Sequence, residues 1–268
     1  MLIPFFKYEG AGNDFLLIDN REGVFTPDKA LIARLCDRHF GIGGDGLMTL
    51  SLDEQGVVQM HYYNADGSEG EMCGNGARCF ALFAHHLGVG GAEQRFVALD
   101  GEHTASLRPT SPDEAEVEVA ICPVSEIYAG EEWFSLNTGV PHYVEFVEAV
   151  EAVDCQRRGA EIRYDTARFP QGTNVNFATP TGEGTITMRT YERGVERETL
   201  ACGTGATAVA IVTNYALQPA CNCFAVQVPG GVLTVRFDHS PNTPHYTNIR
   251  LQGPARRVFA GAFDTQNF

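Results

Sequence analysis

What this 268-residue chain lacks narrows its function before any motif is considered. No run approaches the ~20 apolar residues that cross a bilayer as a helix. The opening stretch, MLIPFFKYEGAGNDF, has no basic segment followed by a long apolar one and a small-residue cleavage site, so it does not read as an export signal. Basic residues are scarce: 19 Lys and Arg stand against 34 Asp and Glu, a formal net charge of −15. That balance argues against nucleic acid and against anionic membrane surfaces as partners. Any anionic substrate must be drawn by local donors instead. Cys-x-x-Cys pairs are missing, and Cys221 and Cys223 lack histidines at ligand spacing, so no structural zinc site is expected. The glycine-dense loop Gly41–Gly46 is not followed by GKS or GKT, and a tight turn is expected there in place of a phosphate cradle. Eight cysteines without an export signal read as reduced thiols, and the expected location is the cytoplasm. Cys36, Cys79, Cys122, Cys155, Cys221 and Cys223 are expected to be small buried hydrophobes.

Two stretches stand out among what is there. Residues 192–217 read ERGVERETLACGTGATAVAIVTNYAL, and residues 72–87 read MCGNGARCFALFAHHL. Each runs from a cysteine through Gly-x-Gly-Ala into a small or apolar segment. Glycine-rich starts of this kind expose backbone N–H groups, and the positive end of the helix dipole adds to their pull on anions. A cysteine at such a start has its thiolate favoured, with a pKa that falls from ~8.5 toward about 3.5–7.5. The second helix is apolar on all faces and should be buried. The two starts, at Cys73 and Cys202, lie about half the chain apart, too far for a solenoid repeat and suited to two copies of one domain. If the copies pack face to face, both thiols meet at one cleft.

Along the chain, strands are expected at 3–8, 14–19, 47–52, 57–63, 94–99, 103–108 and 115–120, with Asp100-Gly101 as a hairpin signal. Asn13-Asp14 has turn chemistry as its plain alternative. Residues 27–39 have helical spacing after Pro27. In the second half, strands are expected at 133–137, 143–147, 174–178, 185–191, 224–228, 232–237, 248–252 and 257–263, and a helix at 148–158. Strands outnumber helices. Each half reads as a curved, mostly antiparallel sheet wrapped around one central apolar helix, an α/β (α+β) architecture of two pseudo-symmetric domains.

With these pieces in place, the chain resembles the diaminopimelate epimerases over nearly its whole length. The resemblance rests on KYEGAGNDF, YNADGSEGEMCGNGARC, GTNVNF, ERGVERETLACGTGATA, and the late PGG followed by LQGPA. It implies two similar domains, residues 1–118 with 254–268 returning to them, and residues 119–253. It implies no pyridoxal phosphate, no metal and no other cofactor. The expected chemistry inverts an amino-acid Cα between two acid/base groups, one protonated and one not. Cys73 and Cys202 are implied as those groups. Backbone N–H groups near Gly74, Asn75, Gly203 and Thr204 would hold the reacting carboxylate. Asn13, Asn64, Asn174 and Arg193 match substrate-binding positions, Arg193 being suited to a distal carboxylate. Glu192 and His142 match positions close to the thiols, setting their protonation or contacting the amino group. The substrate is implied to be diaminopimelate, in lysine and peptidoglycan precursor synthesis, and a homodimer is compatible with the sequence. Two departures concern the distal end: Val140 stands where many members carry Asn before Pro-His, and Gly46 where some carry Gln.

Other readings stay open at this point. Proline or hydroxyproline racemases use two cysteines in the same architecture. A thiol hydrolase would pair Cys202 with His142 and leave Cys73 without a task. An amino-acid binder without catalysis would need neither thiol.

Overall fold

The computed structural model describes residues 2–70, 73–240 and 243–268. It is a sheet-rich α+β fold with four α-helices among the described residues. The chain divides into two compact units. One runs to Val119 and takes in Pro254–Phe268; the other is Ala120–Gly253.

In the first unit, β1 (Leu2–Gly10) and β2 (Asn13–Asp19) form a hairpin. Its turn residues Ala11 and Gly12 both have positive φ, 55° and 83°, the backbone that suits the twist of a two-residue loop. The helix α1 (Lys29–Cys36) begins at Asp28, whose carboxylate accepts from Leu31 N–H. It buries Ile32, Leu35 and Cys36, and the chain returns as β3 (Gly46–Leu52), parallel to β2. Then come β4 (Val58–Asn64), antiparallel to β3, the short β5 (Glu69–Gly70), and α2 (Gly74–His86). After α2, β6 (Glu93–Ala98) lies parallel to β4, and β7 (Gly101–Pro109) and β8 (Glu114–Ala120) follow as an antiparallel meander.

The second unit repeats this plan. After β9 (Ile127–Ala129), β10 (Trp133–Asn137) and β11 (Pro141–Phe146) pair antiparallel. The helix α3 (Cys155–Arg163) leads to β12 (Asn174–Gly182), parallel to β11. Next are β13 (Thr185–Glu192), antiparallel to β12, and the short β14 (Arg197–Thr199). The helix α4 (Gly203–Ala216) delivers β15 (Cys223–Val228), parallel to β13. The hairpin partner β16 (Gly231–His239) and the long β17 (Tyr246–Asp264) complete the order. In each unit a helix bridges a parallel pair twice, at matching places.

Both apolar helices are buried. Eleven of the 13 residues of α2 are buried, and it touches β1, β2, β3 and β7. Eleven of the 14 residues of α4 are buried, against β10 to β13, β15 and β16. Thr207 and Thr213 survive in that setting because each hydroxyl donates to the carbonyl four residues back, Gly203 and Val209. A second cluster in the first unit joins Ile3, Phe5, Leu16, Ile18, Phe25, Leu35, Leu47 and Phe263. Each such side chain, fully buried, contributes roughly 1.5–3 kcal/mol.

Three expectations are corrected. Residues 148–158 hold one 3₁₀ turn, Val150–Ala152, and α3 starts only at Cys155, because Asp154 caps it by accepting from Arg157 N–H. The strands expected at 248–252 and 257–263 are one, β17. Its ladder with β16 runs to Gln252 and that with β1 begins at Arg256, so Pro254 removes a bond from neither. The sheets are mostly antiparallel, as expected, and the four parallel pairs above lie among the antiparallel ones. Among the cysteines expected inside, Cys36, Cys79 and Cys155 are buried, whereas Cys122 and Cys223 are exposed and Cys221 is half-buried. Cys223 faces outward because its neighbours Phe224 and Val226 take the inward register of β15.

Candidate active site

In the first unit the chain enters α2 through Cys73, the N-cap residue, in extended backbone and with no side-chain cap bond. Gly74 and Asn75 therefore occupy the turn whose N–H groups a helix's own carbonyls cannot reach. The half-buried Cys73 thiol donates to Asn13 Oδ1 at 3.8 Å, and Asn75 Nδ2 donates to the same oxygen at 3.2 Å. Asn13, Cys73 and Asn75 thus come together. Asn64 ends β4 and its Nδ2 donates to Ser68 Oγ at 3.1 Å, the turn chemistry of its own loop. A side chain at position 46 has no room: a Cβ there would lie 2.6 Å from the Tyr62 ring and 2.7 Å from Tyr63 O. The Gly41–Gly46 loop turns its N–H groups inward, Gly41 to Asp37 O, Ile42 and Gly43 to Leu35 O, Gly44 to Cys36 O and Asp45 to Asp14 O. It is a tight turn, as expected.

In the second unit Cys202 is the N-cap of α4, again extended and without a side-chain cap bond. It is 5% exposed, and its sulfur lies 3.6 Å from Thr204 Oγ1. Gly203 and Thr204 open the helix, and Thr138 Oγ1 fixes the start by donating to Thr204 O at 3.0 Å. His142 and Asn174 are register partners on β11 and β12. Asn174 Nδ2 donates to Pro141 O at 3.2 Å, and its Oδ1 accepts from Arg193 N–H at 2.9 Å. The Arg193 guanidinium donates to Gln171 O at 3.1 Å. Glu192 accepts from Thr199 Oγ1 at 2.8 Å. His142 is fully buried, and its Nδ1 meets Asn176 Nδ2 at 3.2 Å. Burial first, then the Arg193 charge, pull its pKa down to about 3, so the ring is neutral at working pH. Among the described residues no group of three or more His, Cys, Asp and Glu is placed to hold a metal ion.

Three participants escaped the sequence reading. Asn176 joins His142 to the Cys202 helix start: a Cβ on Gly205 would meet Asn176 Oδ1 at 2.5 Å and Cys202 Sγ at 3.2 Å. Its signal was available, since Asn174 and Asn176 share one face of a strand. Asp45 holds Asn13, whose Nδ2 donates to Asp45 Oδ2 at 2.7 Å. Arg78, fully buried in α2, donates to Gly74 O and Asn75 Oδ1. An arginine inside an apolar helix is itself an anomaly that points to fixed partners.

Fold comparison places the chain first in a class. A PhzF-family phenazine biosynthesis protein from Bacillus anthracis superposes with a TM-score of 0.78 at 14% identity, covering 98% of this chain and 99% of that one. A hydroxyproline epimerase from Agrobacterium vitis gives 0.70 at 13%, covering 97% and 92%. The chain therefore shares the fold of these α+β proteins. Within that class, the model of the diaminopimelate epimerase family matches residues 5–122 and 134–258. Diaminopimelate epimerase of Flavobacterium psychrophilum is 42% identical over 95% of this chain and 97% of the relative. That of Aquifex aeolicus is 39% identical over 97% of each. The chain belongs to the diaminopimelate epimerase family.

Proposed function

We propose that this chain is a cofactor-independent isomerase that interconverts LL- and meso-diaminopimelate, with Cys73 and Cys202 as the two acid/base groups. The reading is carried by one observation: each thiol is the N-cap of a buried helix that opens with Gly-x-Gly-Ala, in each of two units of matching strand order. Inverting Cα requires proton removal on one face and delivery on the other, and backbone N–H groups at a helix start support the charge that builds on the carboxylate. In this reading the N–H groups of Gly74, Asn75, Gly203 and Thr204 take the reacting carboxylate. Asn13, Asn64, Asn174 and Arg193 take the polar remainder of the substrate, while Glu192 and His142 tune the thiols or meet the amino group. The two units are copies of one ancestral domain, residues 1–118 with 254–268 and residues 119–253, each with its sheet wrapped around its apolar helix. The enzyme works in the cytoplasm, in lysine and peptidoglycan precursor synthesis. Assembly as a homodimer belongs to the same reading, and sedimentation of the purified chain tests it.

Proton exchange in deuterated water is the deciding experiment. The wild type is expected to place deuterium at Cα of LL-diaminopimelate as it epimerises. Cys73→Ser and Cys202→Ser are each expected to lose epimerisation by about 10²-fold or more, the usual worth of a positioned acid or base. Full epimerisation by both variants removes the two-thiol assignment. The shared fold with the hydroxyproline epimerase favours one second reading, turnover of proline or hydroxyproline. Comparing rates on those substrates with diaminopimelate separates the two.

A further inference from the structure

The Asn13 amide has its orientation dictated from both ends. Its Nδ2 donates to Asp45 Oδ2 at 2.7 Å, and the other Asp45 oxygen accepts from Arg38 Nη2 at 2.8 Å. Arg38 also grips Asp14 at 2.5 Å, and Asp14 in turn takes Lys7 at 2.6 Å. On the far side, Asn75 Nδ2 donates to Asn13 Oδ1 at 3.2 Å. Asn75 is turned that way by Arg78, whose Nη2 donates to Asn75 Oδ1 at 2.9 Å. An arginine only donates and an ionised carboxylate only accepts, so the two amides strung between them have a single consistent orientation. The outcome is an oxygen, Asn13 Oδ1, held 3.8 Å from Cys73 Sγ. It accepts a hydrogen bond from a thiol and has nothing to offer a thiolate.

We propose that Asp45 is a positioning residue: by turning the Asn13 oxygen toward Cys73 it holds that sulfur as the thiol in the resting enzyme, the form in which Cys73 is ready to donate a proton, the two thiols exchanging roles when the reaction runs the other way. The inference rests on the reading of Cys73 as one of two reacting thiols and assigns its resting state. It also gives the glycine-dense loop a task, since that loop carries Asp45 into place behind Asn13.

The surroundings make the lock necessary. Charged and titratable groups reach this part of the unit from four elements: Arg78 and Cys79 on α2, Glu9 on β1, Asp14 on β2 and Glu116 on β8. Arg78 interacts electrostatically with Cys73, and a helix start favours thiolate over thiol in the cysteine that caps it. Burial opposes Asp14's charge, but hydrogen bonds from Arg38 and Lys7 outweigh it and hold that carboxylate below the usual range. The fixed anchor at the far end of the relay therefore stays charged at neutral pH. Without a fixed acceptor beside it, the sulfur would ionise more readily.

The test reads alkylation of the Cys73 peptide by iodoacetamide, followed by mass spectrometry across pH, in wild type, Asn13→Ala, Asp45→Asn and the double variant. Removing the oxygen in Asn13→Ala is expected to lower the pH midpoint by about one unit, about tenfold faster alkylation below it. Asp45→Asn cannot satisfy both Arg38 and the Asn13 amide as acceptor, so Asn13 loses its orientation and the midpoint falls as well. In the Asn13→Ala background Asp45→Asn is expected to add nothing, because the amide it acts through is gone. An unmoved or raised midpoint in Asn13→Ala overturns the proposal. So does an equal shift from Asp45→Asn in both backgrounds, which would make Asp45 a bare charge. If Asp45→Asn does not fold, Asn13→Ala decides alone. Neither substrate nor turnover enters this measurement, so its failure is distinct from a failure to exchange deuterium into diaminopimelate.

Discussion

His142 shows how far one side chain can be specified by its neighbours. Asn176 Nδ2 donates to Tyr143 O at 2.7 Å, and its Oδ1 accepts from Thr190 Oγ1 at 2.9 Å. A carbonyl only accepts, so the Asn176 edge facing His142 is the NH₂, and His142 Nδ1 is the acceptor. The ring hydrogen then sits on Nε2, a buried atom with no partner among the described residues. In this state His142 is a hydrogen-bond donor rather than a base. Its folded pKa of about 3 lies below the ~6.5 of an unfolded histidine, so between those values the unfolded chain binds the extra proton. The stability contributed by the neutral ring is complete above about pH 6.5 and is lost as pH falls toward 3. Between pH 7 and pH 4.5 the wild type is expected to lose about 3 kcal/mol more than His142→Gln, as measured by urea unfolding. Equal losses in the two proteins would mean the buried ring does not resist protonation.

Elements set where such residues can stand, and the two helix starts were legible in the sequence because glycine spacing and an apolar run are local signals. Cys73 and Cys202 stand one residue ahead of α2 and α4, as the Gly-x-Gly-Ala pattern implies. The same holds for most strands, whose period-2 patterns ended within a few residues of the observed bounds. Three features were not legible. The four parallel pairings depend on which strand a crossover reaches, and no local pattern records that. The Asp154 cap, six residues beyond the helix start expected at residue 148, required the side-chain bond to Arg157 N–H to be seen. Asp45 and Arg78 act across 32 and 176 residues of chain, on Asn13 and Pro254 O respectively, and only folding brings those pairs together. At the α4 start the requirement is for backbone closeness. A methyl group on Gly205 would press 2.5 Å from Asn176 Oδ1, an amide already committed to Tyr143, His142 and Thr190. Gly205→Ala is therefore expected to cost about 1–3 kcal/mol in a thermal or urea melt despite alanine's better helix propensity. A neutral or stabilising result would show that Asn176 yields freely.

At the scale of the whole molecule, chain order and unit membership part company. The last strand begins in one unit and ends in the other, so the first unit is completed only when residues 254–264 have come back to it. That return is anchored by the β1 ladder, from Leu2↔Asp264 to Glu9↔Arg256, and by Arg257 pairing with Asp113. It is also anchored by packing, since Phe263 is 5% exposed among Phe5, Phe25 and Phe268. Truncating a buried phenylalanine to alanine costs roughly 3–5 kcal/mol through lost transfer energy and the cavity left behind. Phe263→Ala thus weakens the first unit from the far end of the sequence. Hydrogen exchange is the measurement that locates the damage. Amides of β1, β2 and β3 are expected to lose protection, while those of β12 and β13 keep theirs. If the two sets lost protection together, the units would unfold as one body. The division into two self-standing domains would then describe the ancestry of the fold and not its thermodynamics.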